Sequence, residues 1–196
     1  MNLSRNSSVV DRTIVRFDES RQLPKFQLFE NSTKLYIPQN GEDFAIVSAE
    51  TRGEMPVNFK ASENGTYTIS INTENVEMNY LHLIDNISGA DVDLIATPSY
   101  TFNAKSDDYE SRFRLVFSAQ GSNDMGDDFA FISNGTIILN GVNDNATLQV
   151  VDLTGRIVSS QVVNGNSVRM TSVANGIYVL RLINGNEVKT QKIVVE

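Results

Sequence analysis

The sequence predicts an all-β protein: two consecutive antiparallel β-sandwich domains, Ig-like or jelly-roll-like, joined by a short acidic linker. Three observations point there. Seven of the twelve Gly directly follow Asn, and both residue types accept the positive φ that tight hairpin turns demand. Between these dipeptides apolar and polar residues alternate with period two, as in strands with one buried face. No window carries the i, i+3, i+4, i+7 stripe of an amphipathic helix.

Taken in order, the first strands expected are Thr13 to Phe17, Lys34 to Ile37, Asp43 to Ser48 and Met55 to Lys60. From Gly65 to Asn72, Tyr67, Ile69 and Ile71 share one face and Thr66, Thr68 and Ser70 the other. Tyr80 to Ile84 and Asp91 to Leu94 follow. Then come Ser99 to Ala104, with Tyr100 and Phe102 inward, and Ser111 to Ser118, where Phe113, Leu115 and Phe117 alternate with Arg112 and Arg114. The aromatics on these apolar faces are expected in the core. Residues 119–128, AQGSNDMGDD, hold three Asp and no large aliphatic except Met125, so they read as the linker between domains 1–118 and 129–196.

The shorter second domain sits near the lower size limit for an unaided core, and nearly every strand must contribute to burial. Seven strands are expected there: Phe129 to Ser133, Thr136 to Leu139, Thr147 to Asp152, Arg156 to Val163, Ser167 to Met170, Ile177 to Ile183 and Glu187 to Val195. Their short connections suggest sequential hairpins. In the sixth, Tyr178, Leu180 and Leu182 share a face. The last carries Ile193, Val194 and Val195 up to Glu196, so packing requires this end to be tied down.

Composition narrows function. Sixteen Lys and Arg against 24 Asp and Glu give a formal charge of −8 and a pI near 4.7, which repels phosphate backbones and argues against nucleic acid as a partner. No apolar run is long enough to span a bilayer, so no direct membrane insertion is expected, and the first residues lack a secretory signal pattern. With no Cys, one His and no Trp, thiolate sites are excluded and imidazole chemistry is nearly so. An enzyme is not expected, nor is a cofactor.

The last third resembles the type A C-terminal sorting domain of the Bacteroidetes type IX secretion system. Carrying the resemblance are Ala146-Thr-Leu-Gln-Val-Val-Asp-Leu-Thr-Gly-Arg156, Asn175-Gly-Ile-Tyr-Val-Leu-Arg-Leu182 and Val188-Lys-Thr-Gln-Lys-Ile-Val-Val195, in that order and against the carboxy terminus. The resemblance implies a folded address, read by the outer-membrane translocon after passage through the periplasm and then removed by a sortase-like peptidase. Its motifs fall on Asp152, Gly155, Arg156, Gly176, Tyr178, Lys192, Val194 and Val195. It also implies a secreted or cell-surface parent protein, of which this sequence is the back end. Residues 1–118 look similar to the region preceding such tails in surface proteins, which implies a sandwich spacer whose own partner is unknown.

Each motif also has a purely structural account. In Asp152-Leu-Thr-Gly-Arg156 the Asp caps a hairpin turn, Gly155 takes positive φ and Arg156 starts the return strand. Display of Arg156 to a receptor is compatible with that. In Asn175-Gly-Ile-Tyr178 the Gly permits a tight approach and the Tyr buries a ring whose hydroxyl needs a partner. Lys192 and the residues after it lie on a strand short of backbone partners on one side, which suits strand addition to a receptor edge as well as packing. His82 reads as a surface or hydrogen-bonded group. The acids Asp91, Asp93, Asp107, Asp108, Asp124, Asp127 and Asp128 match no EF-hand spacing and read as turn acids rather than calcium ligands. The seven Asn-x-Ser/Thr sequons reflect turn composition. An adhesin or carbohydrate-binding module in the first domain is the alternative, and exposed aromatics or a loop-borne metal would mark it.

Overall fold

The computed structural model describes residues 1–26, 29, 31–119, 129–133, 135–139, 142, 145–170 and 173–195. Residues 120–128, most of the expected linker and including Asp124, Asp127 and Asp128, lie outside the described residues, as does the Asn140-Gly141 pair. The chain is all-β, with no helix among the described residues, and divides into two compact units, Met1–Gln120 and Gly121–Glu196.

The first unit contains β1 (Asn2–Arg5), β2 (Ser8–Arg12), β3 (Ile14–Arg16), β4 (Leu23–Pro24), β5 (Lys34–Gln39), β6 (Glu42–Ser48), β7 (Arg52–Lys60), β8 (Gly65–Ser70), β9 (Met78–Asp85), β10 (Asp91–Asp93), β11 (Ser99–Ala104) and β12 (Phe113–Ala119). One sheet runs β11-β8-β1-β2 and the other β10-β9-β12-β7-β5-β6-β3, with β4 alongside β6. Inward residues of both sheets make one core: Leu3, Tyr67, Ile69 and Phe102 from the first meet Phe59, Leu83, Phe113 and Leu115 from the second. Rings pack edge to face there, Phe59 5.2 Å from both Tyr67 and Phe102, and Phe102 4.9 Å from Phe113. The expected core aromatics Tyr67, Phe102, Phe113 and Phe117 are buried, while Tyr100 is half-buried.

Three features depart from the expectation. The hairpin β1–β2 has no Asn-Gly; Asn6 and Ser7 supply both positive φ values, 51° and 64°, a turn chemistry that Ser rarely signals. β3 pairs parallel with β6 inside an otherwise antiparallel unit. Arg112, expected opposite Phe113 on the polar face, precedes β12 and is buried. It forms a bidentate pair with Asp85, Nε to Oδ1 at 3.0 Å and Nη2 to Oδ2 at 2.8 Å, and donates to the Asn103 carbonyl at 2.9 Å. Its guanidinium also lies 4.5 Å from the Phe102 ring. Burial alone would raise the Asp85 carboxyl, but the bonds from Arg112 and from the Ile87 N–H outweigh it and leave the pKa below the ordinary range.

The second unit contains β13 (Ala130–Ser133), β14 (Thr136–Leu139), β15 (Thr147–Asp152), β16 (Ile157–Val162), β17 (Ser167–Arg169), β18 (Gly176–Asn184) and β19 (Glu187–Val195). These are the seven strands expected. They are not simply sequential hairpins, because β17 returns to pair with β14 and β18 with β15, giving sheets β13-β14-β17 and β16-β15-β18-β19. A single core lies between them, with Ile137, Leu139, Leu148, Val150, Leu180, Leu182 and Ile193 buried.

Gln191 closes this core. Alternation along β19 turns Gln191, Ile193 and Val195 inward. The Gln191 carboxamide then acts as a surrogate strand: Oε1 accepts from the N–H groups of Phe129 and Ala130, both at 2.8 Å, and Nε2 donates to the Ala130 carbonyl at 2.7 Å. Replacing Gln191 with Ala strands two buried N–H groups and a carbonyl, at a cost of roughly 2–5 kcal/mol. The expected outcome is loss of hydrogen-exchange protection across β15, β18 and β19 by that amount, with the first unit unchanged.

Candidate functional site

The expected sorting residues converge at one end of the four-stranded sheet. Asp152 ends β15, and its neighbour in register on β18 is Tyr178, which in turn faces Ile193 on β19. Gly176 faces Val195 and Ile177 faces Val194 in the adjoining positions. Gly155 and Arg156 lie in the turn that leaves Asp152. Lys192 stands one place further along, opposite Val179.

The turn is organised by the Asp152 carboxylate. Oδ1 accepts from the Thr154 N–H at 2.9 Å, the Thr154 hydroxyl at 2.6 Å and the Arg156 N–H at 3.0 Å, and Oδ2 accepts from Arg156 Nε at 3.0 Å. Gly155 takes φ +84°, where a side chain is strained. The backbone closes with Gly155 N–H to the Asp152 carbonyl and Asp152 N–H to the Arg156 carbonyl. Asp152 therefore performs the capping role anticipated. The rest of the Arg156 side chain stays in solvent, 78% exposed, and Leu153 beside it is exposed too.

Tyr178 lies two residues beyond Gly176 and so on the same face. Its hydroxyl donates back to the Ala174 carbonyl at 2.9 Å, and its ring covers the bare Gly176 Cα so closely that a Cβ there would meet the ring at 3.4 Å. The first unit repeats this device. In Asn64-Gly-Thr-Tyr67 the Tyr67 hydroxyl donates to the Glu63 carbonyl at 2.7 Å, four residues upstream as at Tyr178. Both Asn-Gly pairs thus begin a strand instead of making a hairpin. Among the described pairs, Asn40-Gly41 between β5 and β6 is the one with both residues at positive φ, 53° and 82°.

On β19 the three expected residues part company. Lys192 and Val194 point away from the core, while Val195 is buried beside Ile193. Among the described residues the strand has β18 on one side only. The two-residue turn makes Asn184 and Glu187 a hydrogen-bonded pair, and alternation from there aims the N–H groups of Val188, Thr190, Lys192 and Val194 at the free edge. Gln191 was not singled out by sequence. Its signal was present, a carboxamide at an inward position between apolar neighbours.

Elsewhere, His82 Nδ1 lies 2.7 Å from Asp91 Oδ1, and its ring stacks on Tyr80 with centroids 4.1 Å apart. Asp93 accepts from the Ile95 and Ala96 N–H groups, and Asp108 from the Lys105 N–H and Arg112. Among the described residues no three His, Asp or Glu side chains converge as a metal site. The first unit has a groove of about 310 Å³ between β5 and β7. The β5–β7 ladder stops at Tyr36 opposite Asn58; two places on, Pro38 would meet Pro56, and neither has an N–H to donate. The strands separate over a floor of Ile37, Val47 and Phe117, with Arg52 and Glu54 at the rim.

The Asp152 turn has a pH signature. The Thr154 hydroxyl, the Arg156 N–H and the Arg156 side chain hold the carboxyl down at about 2, against an ordinary value near 3.9. A depressed acid stabilises the folded state fully above its unfolded pKa and loses that contribution as pH falls through the folded one. Carbon-13 NMR should find the Asp152 carboxyl titrating near pH 2. Asp152→Asn should flatten the fall in second-unit stability between about pH 4 and 2.

Comparison with known proteins adds one finding. Residues 132–196 match the family described as the secretion system C-terminal sorting domain. No curated protein and no solved structure matches the chain. The matched segment runs from within β13 to the end of β19 and contains all eight residues of the gathered site. The second unit is thus a type IX secretion C-terminal sorting domain, and the protein carrying it is marked for export from the cell.

Proposed function

We propose that residues 129–196 act as a folded address that the type IX translocon reads along the free edge of β19, and that a sortase-like peptidase then cuts within residues 119–128. Residues 1–118 serve as a spacer of a secreted or surface protein that reaches the translocon through the periplasm, and the chain is not itself a catalyst. The observation carrying this reading is the double character of β19. Its inner face is core, which fixes its position, and its outer edge presents N–H groups at Thr190, Lys192 and Val194 that β18 does not use. Docking by strand addition needs a rigid, single-sided strand of this kind. Asp152, Gly155, Gly176 and Tyr178 hold the end of the sheet in shape, and Arg156, Lys192 and Val194 are the members of the motif set open to a receptor.

A second reading keeps the address and gives the first unit a ligand. The β5–β7 groove supports it: at about 310 Å³ it falls at the low end of small-molecule pockets and has their apolar floor and polar rim. The first unit is then a binding module of adhesin or glycan-binding type.

Proline tests the edge, because at Thr190 or Lys192 it removes an outward donor and leaves the β18 ladder intact. The full chain, placed behind a periplasmic signal and a reporter in a type IX secretion-competent bacterium, should reach the surface. Thr190→Pro with Lys192→Pro should lower display by about tenfold or more, while β18 keeps its exchange protection; Thr190→Ala with Lys192→Arg, which keeps both donors and the charge, should not. Undiminished display with both prolines rejects edge recognition. Display that survives removal of residues 129–196 rejects the address itself. Mass spectrometry of released product should place the mature end between residues 118 and 130.

A further inference from the structure

The outer face of the β16-β15-β18-β19 sheet is built unlike a solvent face. Three cross-strand rows span all four strands: Val162, Thr147, Ile183 and Val188; then Ser160, Gln149, Arg181 and Thr190; then Ile157, Val151, Val179 and Lys192. Ile177 beside Val194 extends it at the β18–β19 end. Two apolar bands therefore flank a polar row. Ile157, Val162, Ile177, Val188 and Val194 are each between 41% and 57% exposed, although one face of an antiparallel sheet ordinarily turns polar residues to water. Together they offer apolar surface on the order of 400 Å², within the range of the largest apolar patch on a typical monomer, which is often functional.

Among the described residues the charge on this face has one sign. Arg181 and Lys192 stand on it, and among the described residues no carboxylate forms an ion pair with either. Of the unit's described acids, Asp152 is held in its turn with Arg156 and Glu187 pairs with Lys189. The division is also visible along the chain. Residues 129–196 hold five Lys or Arg against four Asp or Glu, leaving eleven against twenty in residues 1–128, so the net charge of −8 divides into +1 and −9.

We infer that this sheet face is a docking surface for a protein of the export machinery, whose complementary patch is aliphatic and carries carboxylates opposite Arg181 and Lys192. The inference rests on the address reading and gives it a second contact, distinct from the β19 edge. Its area suits a protein partner: about 400 Å² of apolar surface is the apolar share of a standard interface burying about 800 Å² on each side. A second copy of this chain fits worse, because stacking the face on itself sets cation against cation with no acid among its described residues to answer. An anionic membrane also fits worse, since lipid recognition uses clusters of about four to eight Lys or Arg, and this face has two and no Trp or Tyr.

The test uses the full chain in the display assay. Arg181→Glu with Lys192→Glu, and separately Ile177→Ser with Val194→Ser, should each reduce display by about tenfold or more. The purified variants should keep the exchange protection of β15 and β18. Arg181→Lys with Lys192→Arg should preserve display, and Arg169→Glu, on the other sheet, should leave it unchanged. Normal display of both face variants overturns the inference, and if the paired prolines still block export the address reading survives it. Two solution measurements on the wild-type chain can also overturn it. One is a concentration-dependent dimer in sedimentation velocity that the serine pair abolishes. The other is co-sedimentation with phosphatidylglycerol-rich vesicles that the glutamate pair abolishes.

Discussion

One carboxamide ties the two sheets of the second unit together with three hydrogen bonds. Hydrogen bonds run along sheets, not between them, so a small sandwich depends on apolar contact to hold its layers together. Gln191 adds a directional tie, bonding both N–H groups and the carbonyl at the start of β13 across 61 and 62 residues of sequence. The three bonds complement one another: the amide oxygen takes two donors and the amide nitrogen supplies the remaining acceptor. An apolar residue of the same length would fill the space and leave all three groups unmet, which is costlier than any gain from the extra burial. The contact joins β13 to β19 beside the enclosed Ile193 and Val195, adding to the ladders that pair β13 with β14 and β19 with β18.

The two units allow fold and recognition to be separated in the motif residues. Asn-Gly-x-Tyr occurs at Asn64 to Tyr67 and at Asn175 to Tyr178, and the local structure is the same in both: glycine at the start of the strand, the tyrosine hydroxyl returned to the carbonyl four residues back. The first copy lies outside the matched sorting family. Gly176 and Tyr178 are therefore accounted for by the need to anchor a strand start, a tyrosine-corner solution open to any sandwich. The same reasoning applies to Asp152, whose carboxylate is saturated by the turn it caps, and to Gly155. What is left after subtracting these is small and lies outside: Arg156, Lys192, Val194 and the sheet face behind them.

Period-two alternation was strong enough in the sequence to place all seven strands of the second unit, and Thr136 to Leu139, Thr147 to Asp152 and Glu187 to Val195 agree to the residue. The departures share a cause, since each depends on what a segment meets across space. The β1–β2 hairpin hides because Asn6-Ser7 lacks the glycine that marks such turns. The return of β17 to β14 and of β18 to β15 is invisible to hairpin counting because adjacency in sequence does not dictate adjacency in a sheet. Arg112 reads as one of two polar alternates of Phe113 until the chain bends before β12 and its guanidinium meets Asp85. Gln191 is polar in a polar stretch, and only the inward turn of Ile193 and Val195 shows which way it points.

A strand that is at once core, edge and face has consequences for recognition. The inward residues of β19 make its position conditional on the whole unit, because Gln191 needs β13 and Ile193 needs Leu180 and Leu182 in place. The outward residues and the free N–H groups are then presented only by a domain that has completed both sheets. In an unfolded or partly folded chain the same sequence is an ordinary Lys-containing aliphatic segment, with no fixed edge and no rows of neighbours on β18, β15 and β16. Register separates the two cases sharply: a slip of one residue on β19 would carry Lys192 and Val194 into the core and Ile193 and Val195 into water. The buried half of the strand thus enforces the geometry of the exposed half, and a receptor reading that geometry distinguishes a finished domain from an unfinished one without contacting the core.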